Sequence, residues 1–99
     1  MKFEEALEKR ALAPEKTYLI DVRTAPEYHQ AHIEGAILLP LDAMDSIGEI
    51  TTDKEDAIFL YCRSGRRSGM AKVHLEAMGY TEVVNLGGII DYLGPVVSG

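Results

Sequence analysis

The stretch AIFLYCRSGRRS, residues 57–68, decides how this chain folds. Its first five residues are continuously apolar, as in a central strand covered on both faces. The chain's one cysteine, Cys62, follows at once, and then a burst of Arg, Ser and Gly. From about Ser68 to Met78 the spacing predicts a helix with Ala71, Leu75 and Met78 as its inward stripe. Gly79 is placed to stop it, because glycine takes positive φ cheaply. A strand that runs through a short loop into a helix is the repeating unit of a parallel α/β sheet. In such sheets ligands lie beyond the carboxyl ends of the strands, which is where Cys62 falls.

The flanking sequence keeps the same alternation. Residues 3–11, FEEALEKRA, put Phe3, Ala6, Leu7 and Arg10 on one helical face, with acids first and bases last as the helix dipole prefers. TYLIDV, 17–22, reads as a strand. TAPEYHQAH, 24–32, reads as a short helix in which Thr24 caps, Glu27 closes the capping box and Pro26 sits in the first turn. GAILLP, 35–40, is a second short strand ended by Pro40, and residues 41–50 are a short helix and turn. TTDKEDA, 51–57, reads as a solvated turn. EVVNL, 82–86, is a further strand, after which the Gly87–Gly88 pair turns the chain into a last short helix or coil. There is no internal repeat and no low-complexity segment.

Composition narrows the function. Ninety-nine residues, 46% of them hydrophobic, are expected to form one domain, 1–99, with a real core. A net charge of −6 argues against a nucleic-acid partner, since phosphate contacts want a basic face. The longest apolar run is too short to span a bilayer, so no membrane partner is expected. The opening MKFEEALEKR is charged where a signal peptide is apolar, which points to the cytoplasm or to a mature form given a new start Met. A lone cysteine carries no internal disulfide and is no sign of an oxidising compartment.

Against that acidic background, Arg63, Arg66 and Arg67 cluster within five positions. Successive N–H groups of residues 63–68 can turn inward beside a helix N-terminus and form an anion nest, with Gly65 permitting the curvature. Nest, helix terminus and arginine charge are all expected to favour a thiolate at Cys62. An isolated cysteine is more often a small buried hydrophobe. A cysteine at a strand end, inside this loop and ahead of a helix, is a nucleophile candidate. Cysteine phosphatases use a Cys-x5-Arg cradle. Here Arg67 makes the pattern Cys-x4-Arg, and Ser68 stands where a phosphatase has its Arg. The tighter cradle suits one terminal sulfur atom better than a tetrahedral phosphoryl group, and so argues against a phosphatase or arsenate reductase.

Several motifs together resemble the rhodanese family. LIDVRTAPEY resembles that family's Asp-Val-Arg segment with its Glu-Tyr (Asp21, Val22, Arg23, Glu27, Tyr28). YHQAHIEGAILLP resembles its first signature, with His32, Ile33, Gly35, Ala36 and Pro40 in place. YCRSGRRS is similar to its six-residue active-site loop, Cys62 to Arg67. MGYTEVVNLGGIIDY resembles its closing segment. The resemblance covers about residues 17–93 and is nearest to small single-domain members of the phage-shock protein E type. Glu34 stands where the family often has Pro, and Ile89 where an aromatic often follows the Gly pair.

The resemblance implies an α/β, rhodanese-like three-layer fold: a parallel sheet of four to five strands flanked by helices, the N-terminal segment offering no clear first strand. It implies a thiosulfate sulfurtransferase with Cys62 catalytic and Arg63, Ser64, Gly65, Arg66, Arg67 and Ser68 binding substrate. Thiosulfate is the implied donor, with cyanide or a thiol as acceptor and no metal or organic cofactor. The alternative is a non-enzymatic sulfur carrier loaded by a partner protein. Members of this type are commonly periplasmic, so a removed signal peptide is the other expectation for location. His29, His32 and His74 lack the acid and thiol set of a metal site, with His32 read as structural. Asp21 and Arg23 are expected to brace neighbouring loops, Tyr61 to be core or pocket wall, and Met44, Met70 and Met78 to fill the core.

Overall fold

The computed structural model describes residues 1–99. Helix α1, Phe3–Leu12, leads into strand β1, Thr17–Asp21; helix α2, Ala25–Gln30, then leads into β2, Ile37–Leu38. A 3-10 helix, Leu41–Glu49, precedes β3, Ala57–Cys62. Helix α3, Arg66–Ala77, and β4, Glu82–Gly88, complete the sheet, and a 3-10 turn, Ile89–Asp91, follows. The four strands are all parallel in the order β2-β1-β3-β4. No first strand precedes α1, so the sheet has four strands. No helix is long and apolar enough to cross a membrane.

Strand alternation divides the core into two layers. On one face Ile20, Val22, Ile58, Leu60, Cys62 and Val83 pack with Met44 and Ile47 of the 3-10 helix and Ala71 and Leu75 of α3. On the other, Leu19, Phe59, Tyr61 and Leu86 pack with Phe3 and Ala6 of α1 and with Ile33 and Ala36. β3 is central and buried from Ile58 to Cys62, as its unbroken apolar run requires.

Some boundaries differ from the sequence reading. α3 starts two residues early, because Gly65 takes φ +100° and serves as its N-cap. β2 is only two residues long. Gly87 and Gly88 extend β4 instead of ending it. The pairing Leu60–Asn85 is followed by Tyr61–Gly87, so Leu86 is an extra, bulged residue. Met44 is buried and Met78 packs on the core, but Met70 is 55% exposed and fills nothing. The 51–57 turn is not wholly solvated: Thr51 donates its hydroxyl to Asp56 across 2.9 Å, and both are buried.

Strand order reverses between β1 and β3, since β1 connects to a neighbour on one side and β3 lies on the other. The crevice beyond their carboxyl ends is where such sheets bind ligands. Cys62 closes β3 there, and Arg23, Thr24 and Glu27 follow β1.

Candidate active site

Cys62 is the last residue of β3 and is 1% exposed, on the face covered by α3. The loop folds back over its sulfur. The Gly65 N–H donates to Sγ at 3.0 Å, and the Ser68 hydroxyl oxygen lies 3.4 Å from it. Burial is the largest single influence on the thiol and pushes it up. It is outweighed by the Ser68 hydroxyl and by the backbone N–H groups of Ser68, Gly65 and Ser64, so the net direction is down, towards thiolate. The main lowering influences are therefore neutral donors of the loop and first helical turn, not the guanidinium groups that the sequence makes conspicuous.

The three arginines have different situations. Arg63 and Arg66 are exposed and form no ion pair. Arg67 is gripped by Glu27 in a two-pronged pair, Nη1 to Oε1 at 2.7 Å and Nη2 to Oε2 at 2.9 Å. Glu27 also accepts from the backbone N–H and hydroxyl of Thr24, which completes the predicted capping box. The bond to Arg67 is the main reason its carboxyl falls to about 2. Arg67 is raised chiefly by the same bond, with the Cys62 thiolate a lesser contributor. Sequence reading found Glu27 as a cap; its pairing with Arg67 links residues 40 positions apart.

The floor of the loop is glycine. A Cβ on Gly88 would run into the backbone of Arg63 and Ser64, and one on Gly65 would sit 3.2 Å from the Gly87 Cα. Asn85, which sequence reading passed over, braces the loop from below. Its Nδ2 donates to the Gly65 carbonyl at 3.0 Å. Its Oδ1 accepts from the Ser68 hydroxyl at 2.7 Å and from the Gly87 N–H at 2.9 Å. The available signal was a lone amide inside an apolar strand, which must find partners.

Asp21 and Arg23 form a buried pair at 2.7 Å, and Arg23 also donates to the Ala31 carbonyl at 2.6 Å. The pair thus braces the segment after α2, as its place at a strand end predicted. Tyr61 is fully buried, pointing to the face opposite Cys62, and its phenol oxygen accepts from the Ile33 N–H. His32 stacks on Tyr28 with ring centroids 3.7 Å apart, and its Nδ1 lies 2.8 Å from the Tyr28 carbonyl oxygen.

Two cavities flank the loop. One of about 350 Å³ lies between the start of α1 and the Gly pair, touching Phe3, Ser64, Gly88 and Tyr92. The other, about 210 Å³, lies on the Cys62 face between Val22, Leu41, Asp42 and Arg67. Cys62 lines neither.

Residues 2–93 match the family described as Rhodanese-like domain. The chain belongs to this family. It is 46% identical over 81 residues to the thiosulfate sulfurtransferase PspE of Escherichia coli, covering 81% of this chain and 78% of that one. A sulfurtransferase of Allochromatium vinosum is 40% identical over 90 residues, covering 89% and 82%. Among solved structures, a rhodanese with anions from E. coli superimposes with a TM-score of 0.79 at 44% identity, over 84% of this chain and 99% of that one. The four-stranded parallel sheet between helical layers is the rhodanese fold.

Proposed function

We propose that residues 1–99 act as one rhodanese-like unit that moves a sulfane sulfur from thiosulfate to a nucleophilic acceptor. The observation that carries this reading is the Cys62 sulfur, held by the Gly65 N–H inside a six-residue loop at the end of the central strand. The names and identities of the relatives support it.

In the first half-reaction the Cys62 thiolate attacks the outer sulfur of thiosulfate. A bond forms between Sγ and that sulfur, the S–S bond of thiosulfate breaks, and its electron pair leaves with sulfite. Cys62 is left as a persulfide whose charge lies on the outer sulfur. In the second half-reaction cyanide or a thiolate attacks the outer sulfur, and the pair returns to Cys62. Two half-reactions on one covalent intermediate give ping-pong kinetics. Within the substrate-binding set, the N–H groups of Ser64, Gly65 and Ser68 hold negative sulfur. Arg63 and Arg66 attract the dianion, and Arg67 acts through its clasp on Glu27.

Intact mass after thiosulfate treatment tests the reading. One added sulfur atom is expected on the wild-type chain and none on a folded Cys62→Ser variant. Normal turnover by that variant would end the proposal. Steady turnover with thiosulfate and cyanide separates an enzyme from a carrier, which would depend on a partner protein to load and unload Cys62.

A further inference from the structure

The Ser68 hydroxyl has one proton and two claimants. The orientation of the Asn85 amide is fixed by the Gly87 N–H, a donor that must face Oδ1 and not the amide nitrogen. On the other side, Nδ2 faces the Gly65 carbonyl, which agrees. The 2.7 Å contact between Ser68 Oγ and Asn85 Oδ1 therefore has Ser68 as donor. With its proton so placed, Ser68 can only accept from Cys62, which requires a protonated thiol. A thiolate, already held by the Gly65 N–H, gains the hydroxyl as a further donor only if the proton turns to sulfur, 3.4 Å away, and the shorter bond to Asn85 is given up.

We propose that Asn85 is a positioning residue that competes with Cys62 for the Ser68 proton and so sets the direction of that hydroxyl in each half of the reaction. With a neutral thiol, the chain runs Cys62 S–H to Ser68 Oγ, and Ser68 O–H to Asn85 Oδ1. On ionisation the hydroxyl turns to the sulfur, and Asn85 keeps the Gly87 N–H. In the persulfide, charge resides on the outer sulfur, within the backbone N–H groups. Sγ no longer needs a donor, and the hydroxyl returns to Asn85. This last step rests on the sulfurtransferase reading; the competition itself does not.

The charged groups around Cys62 are Arg67 of α3 and its partner Glu27 of α2, the Asp21–Arg23 pair at the end of β1, the exposed Arg63 and Arg66 of the loop, and Asp42 across the cavity on the Cys62 face. None is altered in the test, which measures the iodoacetamide alkylation rate against pH, without thiosulfate. Ser68→Ala should move the Cys62 midpoint up. Asn85→Ala should move it down, by about half a pH unit, the scale of one modest hydrogen bond. In the Ser68→Ala background, Asn85→Ala should lose that downward shift, because the competition runs through Ser68; what remains there is only the loss of its brace on the Gly65 carbonyl. If Asn85 merely braces the loop, its loss disperses the N–H donors and raises the midpoint in both backgrounds. An upward shift with Ser68 present, or additive shifts, overturns the proposal. Should Asn85→Ala not fold, Asn85→Asp serves. Its carboxylate holds the proton harder and raises the midpoint more with Ser68 present than in the Ser68→Ala background. Equal shifts in the two backgrounds overturn the proposal. A failed sulfur adduct with the expected alkylation midpoints would instead count against the sulfurtransferase reading alone.

Discussion

Glu27 and Arg67 close the crevice between β1 and β3 like a clasp, two nearly parallel N–H···O bonds joining the start of α2 to the start of α3. Their side chains are about one third exposed, 29% and 33%, so the pair is partly screened by solvent.

Glu27→Gln should therefore lower stability modestly, by about 1 kcal/mol at neutral pH, or ~4–8 °C in melting temperature. The Glu27 carboxyl lies at about 2 in the folded chain against its usual 4.5. A folded-state value below the unfolded one stabilises above the unfolded value and loses that contribution as pH falls through the folded one. The gap between wild type and Glu27→Gln should be constant above pH 4.5 and vanish towards pH 2. Thermal melts of both proteins across that range check it; a gap unchanged at the acid end would mean that the pair is not its source.

Arg66 and Arg67 should respond differently to truncation. Arg66→Ala should raise the thiosulfate KM ~3–5-fold at low ionic strength, with little change in melting temperature. The effect should fade as salt screens an exposed charge. Arg67→Ala should lower the melting temperature along with Glu27→Gln, and the double variant should lose little more than either alone. Kinetics at two salt concentrations, with Lys9→Ala as a remote control, decide the assignment. Identical salt-insensitive kinetics for Arg66→Ala and Lys9→Ala would remove Arg66 from the site.

Gly88→Ala is expected to be severe, since a new methyl meets the backbone of Arg63 and Ser64 and not a flexible side chain. Overpacking of this kind costs ~1–3 kcal/mol. The loop must also lift off β4, dispersing the N–H groups around Cys62. Sulfur transfer should fall further than stability alone explains, and the Cys62 alkylation midpoint should rise. Wild-type alkylation by a stable Gly88→Ala protein would show that the glycine floor is not needed.

Inserting one Gly after Gly65 should abolish most transfer, on the ~10²-fold scale of losing preorganised donors. It moves Arg67 along the helix start, away from Glu27, and separates the Gly65 N–H from the first turn. Wild type should show negligible hydrolysis of p-nitrophenyl phosphate. Phosphatase activity comparable with its sulfur transfer would mean that loop length does not select the reaction.

What the sequence disclosed was local. An apolar run, a loop with a permissive glycine and a helix stripe are each written within a dozen residues, so β3, the loop and α3 were legible, as was the Thr24 capping box. What it concealed joins distant residues. Asn85 is 17 positions from Ser68, and Glu27 is 40 from Arg67. The cluster of arginines drew attention because charge is visible in a sequence. The direction of the Ser68 hydroxyl and of the backbone N–H groups, which together draw the Cys62 thiol down, is not. Met70 has a core residue's chemistry, but it lies on the solvent side of α3, next to the buried Ala71. The Gly pair suggested a turn because glycine weakens strands; here it lets the loop backbone lie directly on β4.

The bulge at Leu86 has a bearing on how copies of this chain meet one another. β4 is seven residues long and lies at the margin of the sheet, with one row of its peptide groups unclaimed by another strand. A long flat margin would invite a second copy to add its own strand. The extra residue, followed by Gly87 at φ +104°, breaks the regular spacing of that row and leaves only Glu82–Asn85 before the break. Glu82, exposed at its outset, adds charge that repels a second acidic copy. The irregularity that precedes the loop's glycine floor thus also discourages polymerisation along the sheet margin.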